Sequence, residues 1–407
     1  MSRYNIRKRR ARQAIQAACC LIFVTFSFIY LFAFQSDILT IVQHVISSGR
    51  TTYQVFVFSA LITILLSVLP FILLHYIRFH VHTIGLAWFP SFFVLGWLTD
   101  VALAEVVPDS TSVGWLPFFL ALIVYLLSVI ISYQLEDKTK VSTPLANLLW
   151  PNLIIIIIGI VFTTLVGNTN FDIHHELRLE RLISEDRYDE VLSICAKEER
   201  PTRCSMSLRA FALSKNGELG ERFFYYPNKA GSDNILPPPT NSLRPANIPL
   251  RLREHLGGYP IHDMNATRFL QYLTADSTAT DYAKDYLLCA LLLDKNLETF
   301  VDSLVVYYSD NCTKEEPQES RNSNRRKQKE EYNPIHVKGI PRHYGEALLL
   351  YTRMTEKPKV ILEDDEILEN YLSFQKVYKA EKDPVDREFQ CRKYYNETYW
   401  TFYYFTK

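Results

Sequence analysis

The chain has 407 residues, enough for two or three domains, and its 44 Lys and Arg balance 44 Asp and Glu. Residues 1–170 hold 10 basic and 6 acidic side chains, whereas residues 171–407 hold 34 and 38. A second half with this slight acidic excess argues against a basic nucleic-acid-binding face, so no nucleic-acid partner is expected. Only 13 Gly beside 25 Tyr and 25 Phe favours helices over turn-rich β structure.

The N-terminal 36 residues combine a basic start with a long uncharged run. Six basic residues lie between Arg3 and Arg12, and residues 13–36 carry no charged side chain. A cleavable signal peptide is the alternative, but the apolar part is too long for one and no small-residue cleavage site follows it. We interpret residues 1–13 as a basic cytoplasmic tail ahead of an uncleaved membrane span.

Four more apolar runs follow, and the last is the longest without charge. From Val141 to Phe171 there is no Asp, Glu, Lys, Arg or His, and five isoleucines are consecutive. About 20 apolar residues cross the hydrocarbon core as a helix. The sequence predicts a transmembrane domain over residues 14–167, with spans near 14–34, 54–74, 84–104, 115–133 and 148–166. The third is the weakest, because Asp100 and Glu105 lie near its end.

The Lys and Arg content of the short loops predicts the orientation of these spans. With the N-terminus in the cytoplasm, the inner segments hold nine basic residues and the two outer loops hold only Arg50. Five spans then place residues 168–407 outside the cytoplasmic membrane. Four spans would instead leave this half in the cytoplasm. We expect five, with the lipid bilayer as a partner of the first half.

The second half is predicted to be helical, so the fold class is all-α. Apolar residues recur at helical spacing, and alternation typical of strands is not found. Two successive segments, 180–196 and 204–219, form a helix pair of the kind that builds TPR-like solenoids. An irregular helical bundle is the alternative. Residues 236–249, which are rich in proline, and residues 314–334, which are polar, interrupt the helices and are predicted to be mobile.

Three strings in this half carry a family resemblance. They are RAFALSKNGELGERFFYYP (209–227), PRHYGEALLLY (341–351) and NETYWTFYYF (396–405). With the spans before them, they resemble an uncharacterised family of multi-span membrane proteins from Bacteroidetes bacteria. The resemblance implies a bacterial inner-membrane location and a TPR-like domain in the periplasm. It implies no activity.

Asp100 and Asn152 are the candidate intramembrane polar residues. A carboxylate inside a membrane is costly and therefore a functional candidate, although Asp100 lies close enough to the span end to reach the headgroups. Asn152 follows Pro151 and could join two spans by hydrogen bonds or lie at the inner interface. Pro70, Pro90 and Pro151 could kink three spans around a cavity, as in transporters.

No catalytic, cofactor or metal motif is present, and none of these groups is expected. The histidines at 75, 80, 82, 174 and 175 lack the accompanying Cys or carboxylate spacing of a metal site. Cys195 and Cys204 flank a turn between two predicted helices. In an oxidising compartment they form a candidate disulfide, worth about 3 kcal/mol for a loop of this length.

Aromatic residues and arginine suggest where a partner would bind. Arg342, His343, Tyr344 and Trp400 are the candidate surface, because such side chains often anchor protein contacts. The alternative is that the rings belong to the core.

The leading functional hypothesis is a multi-pass, membrane-anchored interaction or scaffold protein whose outer helices hold a protein or peptide. The alternative is a small-molecule transporter or membrane-enzyme component that uses the kinked spans and Asp100. A purely structural role in an envelope complex is a third. The scarcity of polar residues inside the spans disfavours an enzyme.

Overall fold

The computed structural model describes residues 3–47, 50–51, 53–106, 114–134, 144–238, 247–259, 264–276, 278–314 and 334–407. The chain divides into two compact units, and the boundary between them falls after Arg178. Unit 1 precedes this boundary and holds the apolar runs. Unit 2 begins at Leu179 and holds most of the helical second half. Each unit has a hydrophobic core of its own.

Unit 1 consists of helices made largely of Leu, Ile, Val and Phe. They are α1 Arg3–Ile29, α2 Ser36–Ile46, α3 Val55–Tyr76, α4 Phe89–Val106, α5 Trp115–Gln134 and α6 Leu145–Val166. A π-helical segment, Tyr30–Phe34, extends α1, and a 3-10 turn, Ile84–Trp88, leads into α4. Helices satisfy every backbone hydrogen bond within the segment, which is the requirement that lipid imposes.

Four helical segments in the described part of the chain are long and apolar enough to cross a membrane. They are Arg9–Phe34, Val55–Tyr76, Trp115–Gln134 and Leu145–Val166. They coincide with four of the five expected spans. The expected third span, near 84–104, has a shorter apolar helical part, Ile84–Asp100.

The long helices of unit 1 alternate in direction along the chain. Helices α1, α4 and α6 run one way, and α3 and α5 run the other way between them. Two contacts of each helix with α4, or with the turn before it, establish this direction. They are Phe23–Phe92 and Tyr30–Thr99 for α1, Phe71–Trp88 and Leu66–Ser91 for α3, Phe118–Phe93 and Tyr125–Phe89 for α5, and Asn152–Gly85 and Thr163–Phe92 for α6.

Small and polar residues fill the space between these helices. Ser91, Thr99 and Asp100 of α4 are buried, and α4 packs against α2, α3, α5 and α6. At the contact between α4 and α6, a Cβ on Gly159 would collide with the Phe92 ring. Helices in lipid gain little by burying Leu against Leu, so close packing at small residues and hydrogen bonds hold them together.

Unit 2 is also helical. Helix α7 Phe171–Ser184 contains the boundary, and it is followed by α8 Tyr188–Cys195, α9 Arg203–Lys215, α10 Leu219–Arg222, α11 Ile248–Leu256, α12 Ala266–Ala275, α13 Asp281–Leu293, α14 Leu297–Tyr307, α15 Arg342–Met354, α16 Asp365–Ala380, α17 Pro384–Tyr395 and α18 Tyr399–Phe405. The helical character expected from the spacing of apolar residues is confirmed.

Side-chain caps set several of these helix starts. Thr202 and Ser205 form a capping box at the start of α9. Asp383 accepts backbone hydrogen bonds at the start of α17, and Pro384 occupies its first position. Thr398 caps α18 in the same way.

Three helices form the centre of unit 2. Residues 204–214 of α9, 286–293 of α13 and 343–351 of α15 are buried throughout. A helix that is covered on all sides needs neighbours around it, and α8, α10, α11, α12, α14, α16 and α18 provide them. The aromatic C-terminal helix is part of this cover.

A small sheet, which the sequence did not predict, lies among the helices of unit 2. Strands β1 Cys312–Lys314, β2 Ile335–Val337 and β3 Val360–Leu362 pair in the order β1-β2-β3. The first pair is antiparallel and the second is parallel, with α15 in the crossover. Three-residue strands are too short to show alternation in sequence. The segments expected to be mobile are residues 236–249 and 314–334. Most of each, residues 239–246 and 315–333, lies outside the described residues.

Candidate functional site

Asn152 anchors the turn before α4 onto α6. Its side chain is fully buried, and its Oδ1 accepts a hydrogen bond from the Gly85 N–H at 2.8 Å. Its Nδ2 donates to the carbonyls of Val81 at 2.9 Å and Leu148 at 2.8 Å. A buried amide needs such partners, because an unpaired polar group in an apolar interior is costly. The geometry gives Asn152 a positioning role.

Asp100 lies at the opposite end of the same helix pair. It is buried on α4 beside Thr99, and Thr99 faces Gly167 just after α6. Gly167 follows Asn152 by fifteen residues, or about 22 Å at the helical rise. The structure therefore does not bring Asp100 and Asn152 into one site.

A cluster of neutral polar side chains surrounds the end of α4. The Tyr30 hydroxyl lies 3.1 Å from Thr99 Oγ1, and Gln35 Nε2 donates to the Tyr30 hydroxyl at 3.2 Å. Thr99 Oγ1 donates to the carbonyl of Leu95 at 3.2 Å, so its oxygen is left to accept the Tyr30 proton. A Cβ on Gly167 would collide with the Tyr30 hydroxyl, so glycine is required there.

The backbone carbonyl of Asn168 connects this cluster to the start of α7. It accepts hydrogen bonds from Gln35 Nε2 at 3.1 Å and from His174 Nε2 at 3.0 Å. Since a carbonyl oxygen only accepts, Nε2 of His174 carries the hydrogen. This one carbonyl group thus connects the end of α1 with the start of α7, next to the end of α6.

These contacts also fix which way the two amide side chains point. Gln35 Nε2 faces a carbonyl, and Asn168 Oδ1 accepts the Asn170 N–H at 2.9 Å. The other atoms, Gln35 Oε1 and Asn168 Nδ2, are buried and have no hydrogen-bond partner among the described residues. Leaving a buried donor or acceptor unpaired costs about 1–3 kcal/mol each. Pairing them would need one donor and one acceptor from outside the described residues.

Both residues line a pocket of about 630 Å³. Small-molecule sites are usually about 300–1,000 Å³ and mostly apolar, with a few polar groups that orient the ligand. The apolar wall of this pocket is formed by Phe26, Ile29, Ala33, Phe34 and Phe171. Part of that wall is the π-helical segment Tyr30–Phe34, and such segments occur frequently at functional sites.

Sequence reasoning missed this pocket because it considered polar residues within the expected spans, and Gln35 and Asn168 lie just beyond the span ends. Gln35 and Asn168 are neutral and lie 133 positions apart, and each follows directly on an apolar helix. The available signal was that both are amides at the same end of two parallel spans. Asp100, which the sequence did single out, is buried next to Thr99 of the same cluster.

A second polar cluster lies in unit 2, where the three strings of the family resemblance meet around Glu346. Its carboxylate is buried and accepts hydrogen bonds from Arg342 Nε at 3.0 Å, His343 Nδ1 at 3.1 Å and the Tyr399 N–H at 2.7 Å. Its backbone carbonyl accepts from Trp400 Nε1 at 2.9 Å. One residue of α15 thus ties down the start of α18.

The first of the three strings completes the cluster with two rings. Arg342 Nη1 donates to the Tyr225 hydroxyl at 2.8 Å, and its guanidinium lies 5.1 Å from the centre of that ring. The His343 ring lies 5.4 Å from Phe224 and 5.2 Å from Tyr225. Aromatic and cation–π contacts of this kind add to the burial of the rings themselves.

The sequence profile of a family described as "Family of unknown function (DUF6057)" matches residues 2–257 and 250–406. The chain belongs to DUF6057. No curated protein and no solved structure matches it. The resemblance to an uncharacterised family is confirmed at this level.

In this DUF6057 chain, the candidate partner surface lies mostly inside unit 2. His343, Tyr344 and Trp400 are fully buried, whereas the side chain of Arg342 is 36% exposed. A partner could therefore reach only Arg342 of the four without unfolding the core.

A buried Ser–His pair in the DUF6057 chain has the first two members of a hydrolytic triad. Ser214 Oγ lies 2.7 Å from His255 Nε2, and the His255 ring stacks on Tyr282 at 4.2 Å. Burial, together with Lys215, lowers the pKa of His255 to about 4. Both side chains of the pair are buried, so a substrate has no access to the serine. The pair is a hydrogen-bonded part of the core.

Cys195 and Cys204, the candidate disulfide, are both buried and are not joined in this structure. They lie at the end of α8 and near the start of α9. Burial raises the pKa of the Cys195 thiol to about 12, which disfavours the thiolate that disulfide exchange requires. The bridge stays a prediction, and mass spectrometry of the non-reduced protein would test it.

No group of three or more His, Cys, Asp or Glu side chains that could hold a metal ion occurs in the described part of the chain. The histidines singled out in sequence have other contacts. His80 stacks on His82 at 5.2 Å, and His174 donates to a backbone carbonyl.

Proposed function

We propose that this chain is a five-span protein of the bacterial cytoplasmic membrane that presents unit 2 in the periplasm as a helical domain for a protein or peptide partner. The alternating direction of α1, α3, α4, α5 and α6 carries the proposal. An odd number of alternating helices leaves the two ends of the bundle on opposite sides of the bilayer.

The proposal counts α4 as a span. Its apolar part, Ile84–Asp100, has 5 residues of 3-10 turn and 12 of α-helix, which gives about 28 Å at the usual rises per residue. The hydrocarbon core is about 30 Å thick. The apolar part ends at Asp100, where the helix would enter the headgroup region. Length thus supports a fifth crossing, although the helix is less apolar than the other four.

The direction of insertion rests on the Lys and Arg bias. Nine basic residues in the inner segments against Arg50 outside favour a cytoplasmic N-terminus. Five crossings then deliver unit 2 to the periplasm.

Alkaline phosphatase and green fluorescent protein fused after Lys407 test this arrangement. We expect an active phosphatase and a dark fluorescent protein. A fluorescent fusion with inactive phosphatase would instead support four crossings and a cytoplasmic unit 2.

The partner surface we propose is an apolar stripe on α17. Val385 and Phe389 are 75% and 64% exposed and lie four residues apart on one helix face. Large exposed apolar side chains in neighbouring helical positions often mark a contact surface. Helices α16 and α17 pack against each other, and the exposed faces of packed helix pairs in solenoids bind extended partners.

Cross-linking in intact cells tests this stripe. The double variant Val385→Ser, Phe389→Ser should lose cross-linked partners without a change in melting temperature, because neither side chain is in the core. Tyr272→Ser, which alters an exposed residue of α12, is the matched control. Equal cross-linking in all three proteins would reject the α17 stripe.

A small-molecule transporter or membrane-enzyme component is the second candidate function, and the pocket beside Tyr30, Gln35 and Asn168 favours it. Pro70 and Pro151 lie within α3 and α6, as expected for kinked spans. The polar side chains that line the pocket are those of Tyr30, Gln35, Asp37, Thr164, Asn168, Thr169 and His174.

A further inference from the structure

We infer that the pocket in unit 1 binds an uncharged amphiphile, whose head carries a hydroxyl next to a carbonyl and whose tail is a hydrocarbon chain. A monoacylglycerol is the simplest lipid of this class. The inference goes beyond a partner-binding unit 2, and it rests on the second candidate function for its biological purpose.

The head group follows from the two unpaired atoms. Gln35 Oε1 accepts and therefore requires a hydroxyl or N–H donor on the ligand. Asn168 Nδ2 donates and requires an acceptor such as a carbonyl. Both atoms are buried, and the amide orientations are fixed by the contacts to Asn168 O and the Asn170 N–H. A glycerol ester presents a hydroxyl and a carbonyl within a few bonds of each other.

The tail follows from the opposite wall. Phe26, Ile29, Ala33, Phe34 and Phe171 present hydrocarbon to the pocket. The pocket lies at the ends of two candidate spans, Arg9–Phe34 and Leu145–Val166, and these ends are where a lipid carries its head group. An amphiphile can therefore place its head at the amides and its chain along the aromatic wall.

Charge selects against the common anionic lipids. Of the twelve lining side chains that the structure describes, none is Lys or Arg, and one is the carboxylate of Asp37. A phosphate or ionised carboxylate would lose its hydration without gaining a cation. An uncharged head avoids this cost.

The test uses the full-length chain in phosphatidylcholine nanodiscs and a monoacylglycerol with a photoreactive group in its acyl chain. We expect labelling of peptides that contain residues 26–37 or 164–174. Excess monooleoylglycerol should reduce this labelling at least tenfold, whereas oleate and oleoyl lysophosphatidate should have little effect.

Three variants separate the pocket from general lipid contact. Asn168→Asp keeps the Oδ1 that accepts the Asn170 N–H and replaces only the unpaired donor. Ala33→Phe fills the apolar wall and leaves every polar group in place. Both should lower labelling about tenfold. Ala17→Phe, at an exposed position on α1 outside the lining, is the matched control and should label like the wild type.

Equal labelling of the wild type, Asn168→Asp and Ala33→Phe would overturn the inference, because the pocket would then hold only water or bulk lipid. Stronger competition by oleate or lysophosphatidate would overturn the uncharged class. If Asn168→Asp does not fold, Ala33→Phe decides the result, because it alters no hydrogen bond. Binding is measured on purified protein, so a negative result leaves the fusion and cross-linking results of the proposed function unaffected.

Discussion

Units 1 and 2 both bury apolar side chains, but they expose different kinds of side chain. The interior of unit 1 contains Ser59, Thr63, Ser91, Asn152 and Thr163, while large apolar side chains of α3, α5 and α6 lie exposed. The interior of unit 2 is built from Leu, Phe, Tyr and Trp, and its surface carries charge. The two units therefore differ in which side chains they place at their surface.

The difference is the one expected if unit 1 lies in lipid and unit 2 in water. In water, apolar burial stabilises a domain by about 25 cal/mol per Å². In lipid this term nearly vanishes between helices, and close packing and hydrogen bonds take its place. Exposed isoleucines on α6 and buried hydroxyls beside them are expected in lipid and would be unfavourable in water.

Loss of a central ring should affect unit 2 most. Trp400 is fully buried, packs on Tyr371 and Phe374, and donates a hydrogen bond to Glu346. Trp400→Ala should lower the free energy of unfolding by about 3–5 kcal/mol, because it leaves a cavity and an unpaired carbonyl. Denaturant melts of the full-length protein would measure this. The exposed Tyr394→Ala is the control, and an equal effect of both variants would contradict a core position for Trp400.

Acid should destabilise unit 2 through His255. Its pKa of about 4 in the folded protein lies below the ordinary 6.5, so between these values the unfolded chain binds a proton that the folded chain does not. Stability is then complete above pH 6.5 and falls as the pH drops towards 4, by at most about 3 kcal/mol. Melting temperature against pH would show the loss, and His255→Phe should flatten that part of the curve. An unchanged curve would mean that His255 protonates freely in the fold.

Removing a hydrogen-bonding side chain should affect unit 1 to a smaller degree. Asn152→Ala breaks its bonds to Gly85 and Val81, which join the turn before α4 to α6. At about 0.6–1 kcal/mol for each bond between segments in a membrane, we expect a loss of roughly 1–2 kcal/mol. Thermal melting in nanodiscs would measure it, and Asn147→Ala at an exposed position of α6 serves as the control. No difference between the two would remove the anchoring role of Asn152.

Two neighbouring isoleucines give the most direct test of the lipid face. Ile156 is 1% exposed and Ile158 is 58% exposed on the same helix. Ile158→Ala should change stability in nanodiscs by less than about 0.5 kcal/mol, because lipid can fill the vacated space. Ile156→Ala should cost about 1–2 kcal/mol through lost packing. Equal losses would argue that Ile158 contacts protein.

The sequence predicted those features that depend on local composition. Uncharged runs located four helices such as Leu145–Val166, and apolar spacing located α8 and α9, because helix formation depends on neighbouring residues. It did not separate core rings from surface rings. Trp400 and the exposed Phe389 look alike in sequence, and only packing distinguishes them.

Features that depend on distant residues were missed. Gln35 and Asn168 meet because two spans run parallel, and neither residue carries a local signal for this. The three strands are too short to predict, and β2 and β3 pair across the whole of α15. Asp100 was a candidate in sequence because it is charged. The unpaired polar atoms of the two residues that line the pocket belong to uncharged amides, Gln35 and Asn168.

The pairing of β1 with β2 gives the chain a place that tolerates insertion. Lys314 and Ile335 are partners in the antiparallel register, so the segment that joins them enters and leaves the fold at adjacent points. The free energy of closing a loop between fixed ends rises by only about 0.6 kcal/mol for each doubling of loop length. An affinity tag or a protease cleavage sequence placed between residues 315 and 333 would therefore leave the core of unit 2 intact and give purification access that needs neither terminus.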